Sequence, residues 1–191
     1  MKQSKLDTKK PTASIYRQDY VSPLGRIILE SDGKFLTGLW FAGSKDASKF
    51  SQDFEQKNLA IFEKTKLWLD IYFTGKQPKF TPKYKLKNIS PFAQIVTQIM
   101  NKIPFGCTVT YGEIARQIAT TQGKQKMSAQ AVGGAVGSNP ICIIIPCHRV
   151  VGAKGNLTGY GGGLDNKIGL LKLENVDLSN FYDPRRTKNE Q

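Results

Sequence analysis

The chain is short of histidine, cysteine and acidic side chains. Its 191 residues hold one histidine, His148, and three cysteines, Cys107, Cys142 and Cys147. An odd cysteine count with no Cys-x-x-Cys spacing excludes a disulfide framework and the usual zinc sites, so no metal is expected. It fits a reducing, cytoplasmic setting. No apolar run approaches the roughly 18 residues of a membrane-spanning helix, and no membrane partner is expected. Met1 to Lys10 is polar and lysine-rich, without the apolar stretch of a secretory signal. Acidic residues number 15 against 28 Lys and Arg, for a net charge of +13 and a pI near 9.7. That imbalance points to nucleic acid, whose phosphates release counterions on binding; simple solubility or an anionic membrane surface are the alternatives.

What is present falls into four stretches. Residues 1–13 form a basic tail expected to be disordered. Residues 14–87 make a small α/β unit plus linker. Within it Arg26–Glu30 and Phe35–Phe41 flank the Asp32-Gly33 turn of a β-hairpin, and residues 46–73 have helical spacing. Ile61, Thr65, Trp68 and Tyr72 share one helical face, which makes the aromatics core, and no catalytic constellation is visible in this half. Lys76 to Lys87 is a lysine-rich connector. Residues 88–175 are mainly helical, and 176–191 form a basic C-terminal tail.

The third stretch has sharp helix signals. Ser90-Pro91 is an N-cap followed by proline at the first helical position, with Phe92, Ile95, Val96, Ile99 and Ile103 as the expected buried stripe. Thr110 and Glu113 form a capping box at the next helix. Ser128 caps a short helix, Ala129 to Val136, giving a helix-turn-helix. That second helix is nearly all small residues. Glycine in a helix costs about 1 kcal/mol, so something must approach its backbone closely: a DNA groove, or another helix. A glycine-rich loop, Val151 to Gly163, carries Tyr160. The closing helix, Leu164 to Asn175, buries Ile168, Leu170 and Leu171. Glu174 near its C-terminus opposes the helix dipole and needs a partner, for which His148 is the candidate.

The chain is organised around residues 139–150. Ile141 to Ile145 has the pattern of a short buried strand ended by Pro146. Cys147 and His148 follow. In an extended strand they would face opposite ways, so they cooperate only if the chain turns after Pro146 or if water bridges them. Cysteines are often small, inert core residues, and Cys142 and Cys107 fit that description. Cys147, at a strand end beside His148 and Arg149, fits a reactive thiolate better.

Pro146-Cys147-His148-Arg149-Val150 resembles the acceptor motif of the O6-alkylguanine-DNA alkyltransferases, and the likeness runs from about Ser90 to Glu174 and more weakly back to Tyr20. The resemblance implies a ribonuclease-H-like α/β N-terminal domain, a small antiparallel sheet plus helix. A mainly helical, winged-helix-like C-terminal domain with the helix-turn-helix would follow. It implies a monomer without cofactor, acting on double-stranded DNA that contains O6-alkylguanine, and on O4-alkylthymine. The damaged base would be flipped out and its alkyl group moved irreversibly to Cys147. His148 would take the thiol proton through a water, Glu174 would orient His148, and Tyr111 would donate to the guanine. Asn139 would tie the helix-turn-helix to the acceptor segment. Val150, Tyr160 and Gly161 would line the pocket, and Ser128, Ala129, Ala131 and Gly133 would meet DNA; Arg149 would pack the turn. Gln130 stands where the family usually has an arginine that fills the gap left by the base. A non-catalytic sensor of alkylated DNA and a DNA-binding regulator with a sensor thiol are the competing functions.

Overall fold

A computed structural model describes residues 14–49 and 52–185; the N-terminal tail and the last six residues lie outside it. The first half is a four-stranded sheet in the order β3-β2-β1-β4, with β1 at Tyr16–Ser22, β2 at Gly25–Ser31, β3 at Leu36–Phe41 and β4 at Glu55–Gln56. The hairpin is present, and β1 extends it by one strand on the other side of the Ser22–Gly25 turn. The sheet is mixed rather than purely antiparallel, because the two-residue β4 runs parallel to β1. Residues 46–73 do not form continuous helix. A 3₁₀ turn at Lys45–Lys49 and β4 precede α1 at Ala60–Phe73. On α1, Ile61, Thr65, Trp68 and Tyr72 are all buried, as their spacing predicts. The 76–87 segment is more than a connector: Lys83 and Lys85 exchange backbone bonds with Leu36 and cover part of the free edge of β3.

The second half begins with α2 at Pro91–Met100, capped by the Ser90 side chain. Its buried face is Ala93, Val96, Thr97 and Met100, while Phe92, Ile95 and Ile99 are only partly buried. The helix is thus turned from the predicted stripe, because it packs against α4 and α3. β5 at Val109–Thr110 pairs in parallel with β6 at Val150–Val151. α3 at Tyr111–Thr121 opens on the predicted capping box, and α4 at Ala129–Gly137 on the Ser128 cap. α5 spans Leu164–Leu173 and ends through Asn175 in the left-handed region (φ 58°), a common stop for a helix. Its buried side chains are Leu170, Leu171 and a lysine, Lys167; Ile168 is half-buried. Residues 176–185 are not a loose tail. Val176, Leu178 and Phe181 pack on Leu157 and Leu171, and Tyr182 bridges Asn156.

Ile141 to Ile145 is buried but is not a strand. Ile141 makes a single bridge to Leu39 on the edge of β3, and the chain then reverses. Ile143 takes φ 68°, rare and costly for a β-branched residue, and Ile145 N reaches back to Ile141 O at 3.1 Å. The Asn139 side chain does what a neighbouring strand would do: it accepts from Ile141 N and donates to Ile141 O and Ile145 O. An apolar run shows burial but not whether partners come from a ladder or from one amide side chain. The turn is stitched to the first half by Leu39 N to Pro140 O and Cys142 N to Leu39 O, both 2.9 Å.

Candidate active site

Pro146 is followed by a 3₁₀ turn, Cys147–Arg149, so the chain does bend where cooperation between Cys147 and His148 requires it. All three side chains of the turn are buried, and His148 is wholly inaccessible. The Cys147 sulfur accepts from Asn139 Nδ2 at 3.0 Å. The neighbouring Cys142 thiol and the Asn139 amide hold the Cys147 thiol below its ordinary pKa, Cys142 contributing most, and burial works against them.

Glu174 caps α5 and collects five donors. Its Oε1 accepts from Tyr72 Oη at 2.7 Å and Arg149 Nη2 at 2.9 Å and meets His148 Nε2 at 2.7 Å. Its Oε2 accepts from Arg149 Nε at 2.8 Å and from Gly106 N at 3.1 Å. Burial alone would raise the carboxyl pKa, but bonds and charge from His148 and Arg149 overcome it and hold the group at about 2. The carboxylate therefore stays ionised and fixes Nε2–H as the donating tautomer of His148. Burial pushes the imidazole pKa below its usual value even though Glu174 resists, so the ring is neutral near pH 7. Its Nδ1 then carries a lone pair, and among the described residues it meets no hydrogen-bond partner. Arg149, expected to pack the turn, does so by donating to Ile103 O at 2.7 Å and pairing with Glu174 through two nitrogens. Gly106 is held at φ 74°, and a Cβ there would press on the Glu174 carbonyl.

Tyr111, at the start of α3, donates its hydroxyl to Gly159 O at 3.0 Å and so spans from the helix to the glycine-rich loop. Burial raises its pKa to about 12. Gly159 has φ 80°, and a side chain on it would run into that hydroxyl. A side chain at Gly161 would run into the Asp46 carboxylate, which reaches in from the first half. Tyr160 puts a buried hydroxyl near Cys142, Cys147, Tyr72 and Asp46, with no hydrogen-bond partner among the described residues. Lys167 Nζ donates to Val150 O at 2.7 Å and to Thr158 O at 3.0 Å, pinning the chain after the cysteine to the loop; burial lowers its pKa to about 8.

Cys147, His148, Glu174, Tyr111, Asn139, Val150, Tyr160 and Gly161 thus converge. Ser128, Ala129, Gln130, Ala131 and Gly133 do not join them; they lie along α4, exposed except for half-buried Gly133. A Cβ at Gly133 would meet only ordinary contact with Tyr111, and one at Gly134 would meet open space. Packing within the chain therefore does not account for the small residues on the outward face of α4. Five residues around the cysteine and Glu174 were not among the site residues expected from sequence: Tyr72, Asp46, Gly106, Cys142 and Lys167. Only Lys167 left a signal, a lysine at a buried position of α5 beside Leu170 and Leu171.

Two family profiles match the chain. The 6-O-methylguanine DNA methyltransferase, DNA binding domain, covers residues 91–176, and its ribonuclease-like domain covers 15–99. The chain is 39% identical over 163 residues to a Haemophilus influenzae methylated-DNA–protein-cysteine methyltransferase, covering 85% of this chain and 88% of the relative. It is 41% identical over 157 residues to the protein of the same name from Methanosarcina mazei, covering 82% and 95%. Among solved structures it is similar to Mycobacterium tuberculosis OGT in complex with DNA, with a TM-score of 0.72, 38% identity and coverage of 83% and 92%.

Proposed function

The chain belongs to the methylated-DNA–protein-cysteine methyltransferase family, and we propose that it flips O6-alkylguanine out of duplex DNA and takes the alkyl group irreversibly on Cys147. It is a DNA repair enzyme that transfers alkyl groups from DNA. The observation that carries the finer reading is the buried Cys147 sulfur accepting from the Asn139 amide, next to a histidine fixed by an ionised Glu174. In this reading His148 Nδ1 takes the thiol proton through one water. The thiolate attacks the alkyl carbon, the carbon–O6 bond breaks with its electron pair going to the guanine, and Tyr111 supplies a proton or hydrogen bond to the leaving base. Tyr111 must exchange Gly159 O for the base to do so. Tyr160, Gly161 and the Val150 carbonyl would line the base pocket, and O4-alkylthymine would fit by the same chemistry. α4 would lie in the DNA groove, with Ser128, Ala129, Ala131 and Gly133 close to the backbone and Gln130 filling the vacated stack. The protein would act as a monomer, with residues 88–175 meeting DNA and 14–87 serving as the platform behind the turn.

Incubation with a duplex carrying O6-methylguanine, followed by peptide mass mapping, tests this. One methyl group on Cys147 and restored guanine are expected. An unmodified protein, or an adduct on Cys107 or Cys142, would overturn the assignment and favour a sensor or regulator.

A further inference from the structure

Residues 76–87 hold five lysines and no acid, and Lys76, Lys79, Lys83, Lys85 and Lys87 are all exposed. The acceptor chemistry uses none of them. The fold sets the last three in a row. Leu36 N donates to Lys83 O at 3.0 Å and Lys85 N to Leu36 O at 2.9 Å, so the segment lies extended along the edge of β3. Side chains of an extended segment alternate between faces. Tyr84 and Leu86 turn onto the core, and the Tyr84 hydroxyl accepts from Asn101 Nδ2 at 2.9 Å. Lys83, Lys85 and Lys87 are left on the outward side, about 6.7 Å from one to the next. The pairing with Leu36 puts them beside the hairpin turn, which adds exposed Lys34 and one acid, Asp32. The Asp32 Oδ1 is engaged by Lys34 N and Phe35 N of its own turn.

Elsewhere on the surface Arg26 pairs with Asp19, Lys66 with Glu63 and Arg185 with Asp165. Among the described residues, the five lysines make no ion pair. Like charges held in a row repel one another, and a bound polyanion relieves that repulsion. A membrane surface would call for apolar side chains among the cations, and a protein partner for an apolar or aromatic centre. This row has neither, because its apolar members face the core. Phosphates ask only for charge. We propose that Lys83, Lys85 and Lys87 bind the sugar–phosphate backbone of DNA, as a second contact outside the groove held by α4. The proposal rests on α4 being the groove-binding element and not on alkyl transfer to Cys147.

The test is the salt dependence of binding to undamaged duplex, for the full-length protein and for the triple variant Lys83→Gln, Lys85→Gln, Lys87→Gln. Each backbone contact contributes about 0.9 to the slope of log affinity against log salt, so on a duplex of about thirty base pairs the variant should lose about 2 to 3 from that slope. Between about 50 and 200 mM salt the wild type should then weaken about fortyfold more than the variant. On a duplex of about ten base pairs, one helical turn, the two slopes should match, because α4 alone has DNA to hold. Arginine at the same three positions should restore the wild-type slope, and reaction with free O6-alkylguanine base should be the same in all three proteins. Equal slopes on the long duplex overturn the proposal. So does an equal drop on both duplexes, which would make net charge the cause and not contact. Glutamine variants that self-associate in sedimentation with an unchanged slope would make the lysines guards of the sheet edge instead. Wild-type binding to phosphatidylserine vesicles, again with unchanged DNA slopes, would assign the row to a membrane. Ala131→Glu checks the other surface separately and should abolish binding of the short duplex. Its failure to do so would count against α4 and not against the lysine row.

Discussion

The surroundings of Glu174 and the outward face of α4 are built on opposite terms. Around Glu174, Tyr72 of α1, His148 and Arg149 of the 3₁₀ turn and the Gly106 backbone crowd one carboxylate, and its Oε1 alone has three partners. Along α4 the exposed positions are Ala129, Gln130, Ala131, Gly134 and Gly137, which apart from Gln130 present backbone and little else. Bond making and breaking gain from groups that need no rearrangement, because pre-set dipoles stabilise charge without reorganisation at the moment of reaction. A surface that must accept any sequence gains from being bare and cationic, since it reads phosphate and shape and not base edges. The acceptor centre should therefore fail sharply when altered, and α4 only gradually.

The contrast is tested first at its extreme. Cys147→Ser should abolish transfer while leaving DNA affinity in place, because an alcohol cannot be ionised by the same neutral imidazole. Residual transfer measured by adduct mass would remove Cys147 from the role of acceptor.

Glu174→Gln comes next. It leaves Arg149 buried with a neutral partner and the imidazolium unsupported, so single-turnover transfer should fall by about a hundredfold and stability by about 3 kcal/mol. The stability loss has a pH signature. The folded carboxyl titrates at about 2 against a reference of 4.5, so its contribution is complete above about pH 4.5 and is lost as pH falls toward 2. Urea unfolding at pH 7 and pH 3 should show the gap between wild type and variant narrowing at the lower pH. A gap that stays constant would mean that the ionised carboxylate is not what stabilises the site.

Tyr72→Phe should be milder, because four donors to Glu174 remain. About 1.5 kcal/mol of stability and less than tenfold in rate are expected. A rate as low as that of Glu174→Gln would place the Tyr72 hydroxyl in the chemistry itself.

The smallest effect belongs to α4. Holding a flipped base has to offset an unstacking cost of a few kcal/mol, and arginine adds charge and cation–π contact that glutamine lacks. Gln130→Arg should speed repair of duplex DNA a few-fold and leave reaction with the free base unchanged. Equal gains on both substrates would show that position 130 acts on the pocket; no gain on either would show that glutamine already suffices.

These two regions were also unequally legible. Helix starts announce themselves locally, so Ser90-Pro91, the Thr110–Glu113 box and the Ser128 cap were readable, whereas the exposure of α4 was not, because small residues suit a DNA groove and a neighbouring helix equally well. The pairing of His148 with Glu174 could be inferred because a carboxylate at a helix C-terminus needs a cation or donor. Tyr72 could not, because a tyrosine on an apolar helical face looks like core until the fold brings Glu174 to its hydroxyl. The Ile141–Ile145 turn was misread as a strand for a related reason. Its deciding partner is one amide side chain, and its positive φ at Ile143 contradicts local preference. Cys142 was set aside with the inert thiols because only that reversal brings it to Cys147.

The Glu174 carboxylate has one more consequence, in time. Its partners lie far apart along the chain: the Tyr72 contact closes a loop of 102 residues and the Gly106 contact one of 68. Contacts of such separation form late in folding, after local helices and hairpins, because loop-closure entropy must be overcome first. The histidine has no fixed tautomer until Glu174 docks, so a nascent or half-folded chain carries an unarmed cysteine. Reactivity arrives together with the finished fold.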